Sequence, residues 1–473
     1  MPSVLRHLLQ LLTEAVDRLE QSCASKGTPI PDLDEPLDAS SAAFHADSEI
    51  AEDARIIGAA AVHLAAIVTP PPLTMYSIIG GLLGSAALRV CLESHVTEIL
   101  REAGPQGLTP EQISAINGQD PKKLGRFLRV LATHHIYREV EPNVFANNRV
   151  SSALDTGKSS GELSKDPATK YDNTNGFGAV VGHHLDEVFK AAAYSWEAAT
   201  SASETDFEDP TKTPFNKAYN TNDKFFSFVH RPEEAARRHR LGLAMKGGQT
   251  MQHPDAVLSN HASIRLVESS YGCIVDVGGG IGTSALKIAS HFPNLKLVVQ
   301  DLPEVLEDAK AFWSQNMPEA ITSSRVTLEA HDFFAPQTRK PAVFFLKQVL
   351  HDWPGNYCVQ ILQHLRDAAG PNTRLVVVDS IIRFACKDSG SITGERIQGY
   401  EPKEAPAPLL ANYGAQGAMA YIGDMVMYLT LNAQERTITQ HAQLLCGAGW
   451  QIVAVRQPKG DGSFGQGIEA VPV

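Results

Sequence analysis

From about residue 270 onward, short apolar runs alternate with segments of helical periodicity. The runs cover residues 274–277, 297–300, 326–329, 342–346 and 375–378, and the helical segments cover 284–291, 304–316 and 358–368. Short continuous apolar runs suit strands buried on both faces, and their alternation with helices predicts a parallel sheet in an α/β fold. A Gly/Pro/Ala-rich stretch over 386–418 interrupts this region and predicts a surface loop.

The first half reads differently. Leu5, Leu8, Leu9, Leu12 and Leu19 recur at helical spacing, interrupted by Arg6, Glu14, Asp17 and Arg18. That pattern predicts an amphipathic helix lying on a partner or on its own body. A Pro/Ser/Asp-rich linker over 25–41 leads to an Ala-rich helix over 47–67, which stops before Pro70, Pro71 and Pro72. Apolar positions at helical spacing resume over 85–101. Thr109 followed by Pro110 marks another helix start. Residues 121–133 form the next helix, and two short strands over 136–140 and 143–146 follow. Three helices and a β-wing make a winged-helix plan. Residues 150–210 are weakly patterned, with one helix over 181–199, and a long helix over 232–251 leads into the α/β region.

Composition narrows the class. At 473 residues, 43% hydrophobic and 20% charged, the chain is globular. A net charge of −12 argues against a nucleic-acid partner, so the winged helix reads as a dimerisation or lid module. The basic run Arg237-Arg238-His239-Arg240 reads as a solvated helix face. The six cysteines are scattered without a CxxC, which suits a reducing compartment better than a disulfide framework or a zinc site. The charges within residues 1–20 make a poor signal peptide, and no apolar run reaches the length of a membrane span. A soluble, cytoplasmic protein without a membrane partner is expected.

The run 274–277 passes into Gly278-Gly279-Gly280-Ile281-Gly282, and the next run ends at Asp301. An acid at that distance from a glycine turn suits the hydroxyls of an adenosine ribose. A dinucleotide loop wants G-x-G-x-x-G, but here the sixth position is Thr283. The spacing Gly278-x-Gly280-x-Gly282 after Asp276 is the one associated with S-adenosylmethionine; a plain βα turn is the simpler alternative. Asp332 suits either the adenine amino group, with Phe333 against the ring, or an Asx turn. Lys347 suits either cofactor oxygens or bulk solvent.

The run 342–346 continues into Lys347-Gln348-Val349-Leu350-His351-Asp352-Trp353. Residues just past such a strand face the ligand crevice, and histidine is matched to proton transfer near neutral pH. With a methyl sulfonium cofactor the reaction is an in-line displacement, and a hydroxyl acceptor must lose its proton. Ordinary pKa values of ~10 for a phenol and ~6.5 for histidine put full transfer at about 5 kcal/mol uphill. A base in contact removes most of that deficit by taking the proton as the methyl moves. The imidazole then needs a carboxylate on its other nitrogen. Asp379, closing the run 375–378, and Glu435 are the candidates, while Asp352 reads as facing away to cap the next helix.

Together the segments VDVGGG (275–280), VQDLP (299–303), HDFF (331–334), KQVLHDW (347–353) and ERT (435–437) resemble the caffeate/flavonoid-type O-methyltransferases. Within that group it resembles the fungal branch that includes the sterigmatocystin O-methyltransferases, and the resemblance covers about residues 45–473. It implies a Rossmann-like class I methyltransferase domain with an all-helical, winged-helix-like N-terminal dimerisation domain, in an intertwined homodimer. The corresponding divisions are an N-terminal arm (1–75), a dimerisation domain (76–160), connecting helices lining the acceptor pocket (161–260) and a cofactor domain (261–473). The implied reaction is metal-independent methyl transfer from S-adenosylmethionine to a phenolic hydroxyl of a small aromatic secondary metabolite, releasing S-adenosylhomocysteine. A relative turned to a non-methylating dehydration or pericyclic step is the alternative. By this resemblance His351 is the base, with Glu435 and Asp379 as its supports. Gly278, Gly280, Asp301, Leu302, Asp332, Phe333 and Lys347 contact the cofactor, and Met427, Asp352 and Phe215 face the acceptor. Plant members usually carry glutamate where Asp379 stands, which leaves its reach to His351 open.

Overall fold

The computed structural model describes residues 3–38, 44, 47–201, 203, 208–248, 257, 264, 272–388, 391–392, 395–401, 403–457 and 465–473. The chain divides into two compact units, Met1–Glu197 with Pro214–Met251, and Ala198–Thr213 with Gln252–Val473.

In the first unit, helix Val4–Lys26 buries Leu8, Ala15, Leu19 and Cys23, and packs on helix Ser48–Val68. Asp47 starts the second helix by accepting from the Glu49 and Ile50 amides. The prolines that follow do not end the helical region. Pro71 sits in the first turn of a 23-residue helix, Pro71–Glu93, where its missing N–H is no loss. The single helix expected over 85–101 is split after Glu93. His95 takes a left-handed φ of 59° and Val96–Ala103 begins a new helix. Pro71–Glu93 also overturns the expectation of no membrane-length run, since it is long and apolar enough to cross a membrane by length and composition. Leu73, Tyr76, Ile78, Ile79, Leu82 and Leu83 along it are each more than half exposed. Helices Pro110–Asn117 and Pro121–Thr133 and the hairpin β1 (Arg138–Glu141) and β2 (Val144–Ala146) complete the winged module around Cys91, Ile99, Leu124, Leu128 and Phe145.

The one helix expected over 181–199 is several. Phe177–His183 runs into a π-turn, His184–Val188, then Phe189–Ala192 and Ser195–Ser201. The π-turn buries Asp186 and Glu187. Asp186 accepts from Arg89 and Arg240 at 2.7 Å each, and Glu187 accepts from Arg237 at 2.6 Å. Two of the four residues read as a solvated basic face are therefore tied into a buried ion network.

The second unit holds β3 (Cys273–Val277), β4 (Lys296–Asp301), β5 (Val326–Ala330), β6 (Val343–Lys347), β7 (Arg374–Asp379), the two-residue strands β8 (Ser391–Ile392) and β9 (Glu395–Arg396), β10 (Trp450–Arg456) and β11 (Gln466–Pro472). Its seven-stranded sheet runs β10-β11-β7-β6-β3-β4-β5. Strands β3 to β7 are parallel and β10 and β11 are antiparallel. Successive residues of one strand serve opposite cores. Phe344 and Leu346 join Leu362, Leu365 and Trp450, while Val343 and Phe345 join Ile288, Leu297 and Trp313. Both faces are covered, which is why these strands read as unbroken apolar runs. The sequence pattern named no strand after 378. A register shift between Ile452 and Ala454 breaks the alternation that would have marked β10. From β3 the chain moves to β4 on one side and later returns to β6 on the other. That reversal opens a crevice at the carboxyl ends of β3 and β6.

Candidate active site

Two glycines shape the turn after β3. At Gly282, φ is 88° and an added Cβ would fall 2.4 Å from Trp313 Nε1, so this position lets the loop close against its own helix layer. At Gly280, φ is 60° and an added Cβ would meet nothing within 4 Å, so this position faces open space. Asp301 Oδ2 accepts from the Gly280 amide at 2.7 Å and Oδ1 from the Leu302 amide at 2.8 Å. Each oxygen keeps acceptor capacity for a hydroxyl. Desolvation pushes the Asp301 carboxyl up, and the two backbone donors pull against it. Leu302 beside it is exposed.

Behind the loop lies Asp276, 2% exposed, whose Oδ2 has no partner among the described residues. Desolvation, with Asp301 adding, holds it up to about 7. Phe333 stands 3.3 Å from the Cβ position of Gly278. Asp332 is exposed, and its Oδ1 accepts from the Phe334 amide at 2.9 Å, the Asx-turn arrangement. Lys347 is not a solvated lysine. It is largely removed from water, its Nζ donates to Gln348 Oε1 at 2.6 Å, and desolvation, aided by Lys287, pushes it down to about 8.

Strand β6 delivers the histidine. Gln348 turns the chain with a left-handed φ of 55°, and Leu350–Asp352 forms one 3-10 turn. His351 is 8% exposed and its Nδ1 lies 2.8 Å from Glu435 Oε1. An ionised carboxylate only accepts, so Nδ1 carries a proton in either charge state of the ring, and once the ring is neutral Nε2 carries the lone pair. Desolvation opposes the imidazolium, but the charges of Glu435 and Asp352 outweigh it and raise His351 to about 10. Asp352 does not face away, because its Oδ1 lies 3.4 Å from His351 Nε2. The next helix, Gly355–Ala368, follows Pro354 and has no side-chain cap. Desolvation raises Asp352 to about 6 against the pull of His351.

Asp379 does not reach the histidine. It is 1% exposed and neither oxygen has a hydrogen-bond partner among the described residues. Desolvation raises it to about 7, with His351 opposing and Glu435 adding. Its influence on His351 is therefore that of a nearby field. Met427 is half-buried on helix Ala418–Leu431; on the same helix Asp424 accepts from the Glu435 amide at 2.9 Å. Phe215 belongs to the first unit and is 0% exposed there, stacked on Tyr219 at 4.4 Å and edge-on to Phe225 at 5.0 Å. Its ring has no free face to offer an acceptor, contrary to the expectation. Sequence reasoning included Arg436 in the ERT segment but gave it no role; its buried guanidinium reaches the His351 turn. Among the described residues, no group of three or more His, Cys, Asp or Glu side chains is arranged to hold a metal ion.

A parallel core with an antiparallel pair at one edge, a glycine turn after its first strand and an acid closing the second define a class I methyltransferase. A family model for the O-methyltransferase domain matches residues 198–396, and one for the O-methyltransferase dimerisation domain matches 76–157. The chain is 45% identical over 474 aligned positions to a 4-O-methyltransferase of Phanerochaete chrysosporium, covering 100% of both chains. It is 27% identical to a chlorophenol O-methyltransferase of Trichoderma longibrachiatum, covering 91% of this chain and 82% of that one. LepI, solved with SAH and a substrate analogue, shares the fold at a TM-score of 0.67 and 18% identity, covering 98% of this chain and 99% of its own. The protein belongs to the S-adenosylmethionine-dependent O-methyltransferases that carry an N-terminal dimerisation domain.

Proposed function

We propose that His351 is the general base for methylation of a phenolic hydroxyl on a small aromatic secondary metabolite, without a metal ion. The 2.8 Å contact between His351 Nδ1 and Glu435 Oε1 carries this reading. It commits the ring to the tautomer whose Nε2 accepts a proton, and it stabilises the imidazolium formed as the proton arrives. Raising His351 toward the phenol's pKa of ~10 shrinks the deficit of the transfer step itself, while the neutral ring that takes the proton becomes populated only as pH rises toward about 10. Asp352, beside Nε2, orients the acceptor, and Met427 packs against its ring. Asp379 adds negative field.

S-adenosylmethionine supplies an electrophilic methyl group when bound. The open space over Gly280 and the acceptor capacity left on Asp301 fit that cofactor. Gly278 and Gly280 allow close approach of the loop, Asp301 takes ribose hydroxyls, and Leu302, Asp332 and Phe333 hold the adenine. Lys347 adds positive charge and excludes water. The names of the 4-O- and chlorophenol O-methyltransferases support a phenolic acceptor.

The exposed apolar side of Pro71–Glu93 belongs to a homodimer contact, in keeping with the dimerisation match over 76–157. Six cysteines without a disulfide suit a cytoplasmic enzyme. Incubation with methyl-labelled cofactor and a panel of phenols, with and without a chelator, tests the reading by product mass. A labelled aryl methyl ether formed in the presence of chelator is expected. Turnover without added methyl mass, or only with added metal, contradicts it.

A further inference from the structure

Arg436 follows Glu435 in the chain, yet its side chain serves the histidine. It is 3% exposed. Nη1 donates to the Leu350 carbonyl at 2.7 Å and Nη2 to the Trp353 carbonyl at 2.8 Å. Those two carbonyls bracket the turn that holds His351. Nη2 also lies 3.4 Å from Cys358 Sγ, and that thiol lies 3.1 and 3.2 Å from the Leu350 and Trp353 carbonyls, with one S–H to share between them. The main chain of Arg436 is fixed separately. Its carbonyl accepts from the Ile382 amide at 3.0 Å, and it bridges to Ile381 just beyond β7.

Among the described residues this buried guanidinium forms no direct ion pair: its hydrogen-bond partners are the Leu350, Trp353 and Gln434 carbonyls and a thiol, and Asp379 and Asp424 act on it only through their fields. Such burial opposes stability unless geometry repays it. A planar fork with fixed donors is suited to spanning two carbonyls at once, whereas an ammonium is a single point. We infer that Arg436 is a positioning residue that locks the His351 turn to the segment carrying Glu435, so that the imidazole–carboxylate bond is formed before the acceptor arrives. The inference rests on His351 being the base. A rigid tie of this kind matters because a displacement of about 1 Å at a reacting group lowers rate by about 100-fold.

The test uses the full-length protein and the variants Arg436→Met, Arg436→Lys, Arg436→Ala and His351→Ala. Four quantities are measured: kcat, acceptor KM, cofactor affinity by calorimetry, and the downfield NMR signal of the His351 Nδ1 proton. Arg436→Met is expected to lose about 100-fold in kcat, with cofactor affinity unchanged and the downfield signal shifted or lost. Arg436→Lys falls between it and the wild type. Added ethylguanidinium restores part of the kcat of Arg436→Ala and leaves the wild type unaffected. A wild-type kcat and an unmoved signal in Arg436→Met overturn the inference. Should that variant fail to fold, a wild-type kcat in Arg436→Lys overturns it equally. Turnover by His351→Ala would remove the base reading itself. An inactive His351→Ala beside an unaffected Arg436→Lys overturns only the role of Arg436.

Discussion

Glu435→Gln removes one charge from the site and keeps its shape. The lost contact is the 2.8 Å bond from His351 Nδ1 to a nearly buried carboxylate. A hydrogen bond involving a charged group contributes about 1.5–3 kcal/mol net, more than a neutral one. At about 1.4 kcal/mol per decade of rate, losing that stabilisation as the imidazolium forms lowers kcat by about 10- to 160-fold. The amide adds a second penalty. Its N–H can donate to Nδ1, which moves the ring proton to Nε2 and removes the acceptor altogether.

The pH profile carries an independent signature. His351 works deprotonated, and Glu435 is one of the charges that raise it to about 10, so wild-type kcat/KM climbs with pH through neutrality toward that value. With the charge gone, the climbing limb moves to lower pH. The assay is kcat/KM with labelled cofactor across this range, repeated with two phenols of different acidity. A limb that belongs to the enzyme stays in place when the phenol changes. A Glu435→Gln enzyme with wild-type kcat and an unshifted limb refutes the reasoning.

Gly280→Ala places its Cβ in open space at a φ of 60°, a strain of about 1–2 kcal/mol, and should weaken cofactor binding with a modest loss of thermal stability. Gly282→Ala drives its Cβ to 2.4 Å from Trp313 and should cost far more in stability; calorimetric binding and thermal denaturation separate the two. His351 binds its proton more tightly folded, at about 10 against an ordinary 6.5, so its stabilisation is complete below 6.5 and is lost as pH rises toward 10. Asp276 and Asp379, raised to about 7, shift stability in the same direction at lower pH. The melting temperature should therefore fall from neutral to alkaline pH, and His351→Gln should flatten that fall. Ile78→Glu puts a charge on the exposed side of Pro71–Glu93 and should convert the dimer to monomer in analytical ultracentrifugation; an unchanged mass removes that side from the interface.

The legible parts of this protein are those whose physics is local. Strands β3, β4, β6 and β7 are buried on both faces and so read as apolar runs. The glycine turn and Asp301 sit at fixed offsets from them. His351 is visible because it directly follows a buried strand. Its pairing with Glu435 spans 84 positions, and chain order alone does not state it; family resemblance supplied it. Asp379 closes a strand as expected, yet its short side chain leaves both oxygens unpaired. Asp352 sits two residues before Pro354, which holds the cap position, and its carboxylate faces His351 Nε2 instead. Prolines 70 to 72 mark the end of helix Ser48–Val68 as expected, but they do not end the helical region. The ring that ends one helix also suits the first turn of the next, and only the apolar stretch behind it decides. Arg436 stood in the ERT segment without a role, because the backbone carbonyls it serves have no sequence signature.

The most direct test of the central claim is a single-turnover measurement of methyl transfer by His351→Ala, with cofactor affinity determined on the same sample. Transfer of labelled methyl to the phenol is expected to be nearly abolished while S-adenosylmethionine binds as in the wild type. Methyl transfer at a rate near wild type, with the cofactor bound, would contradict it.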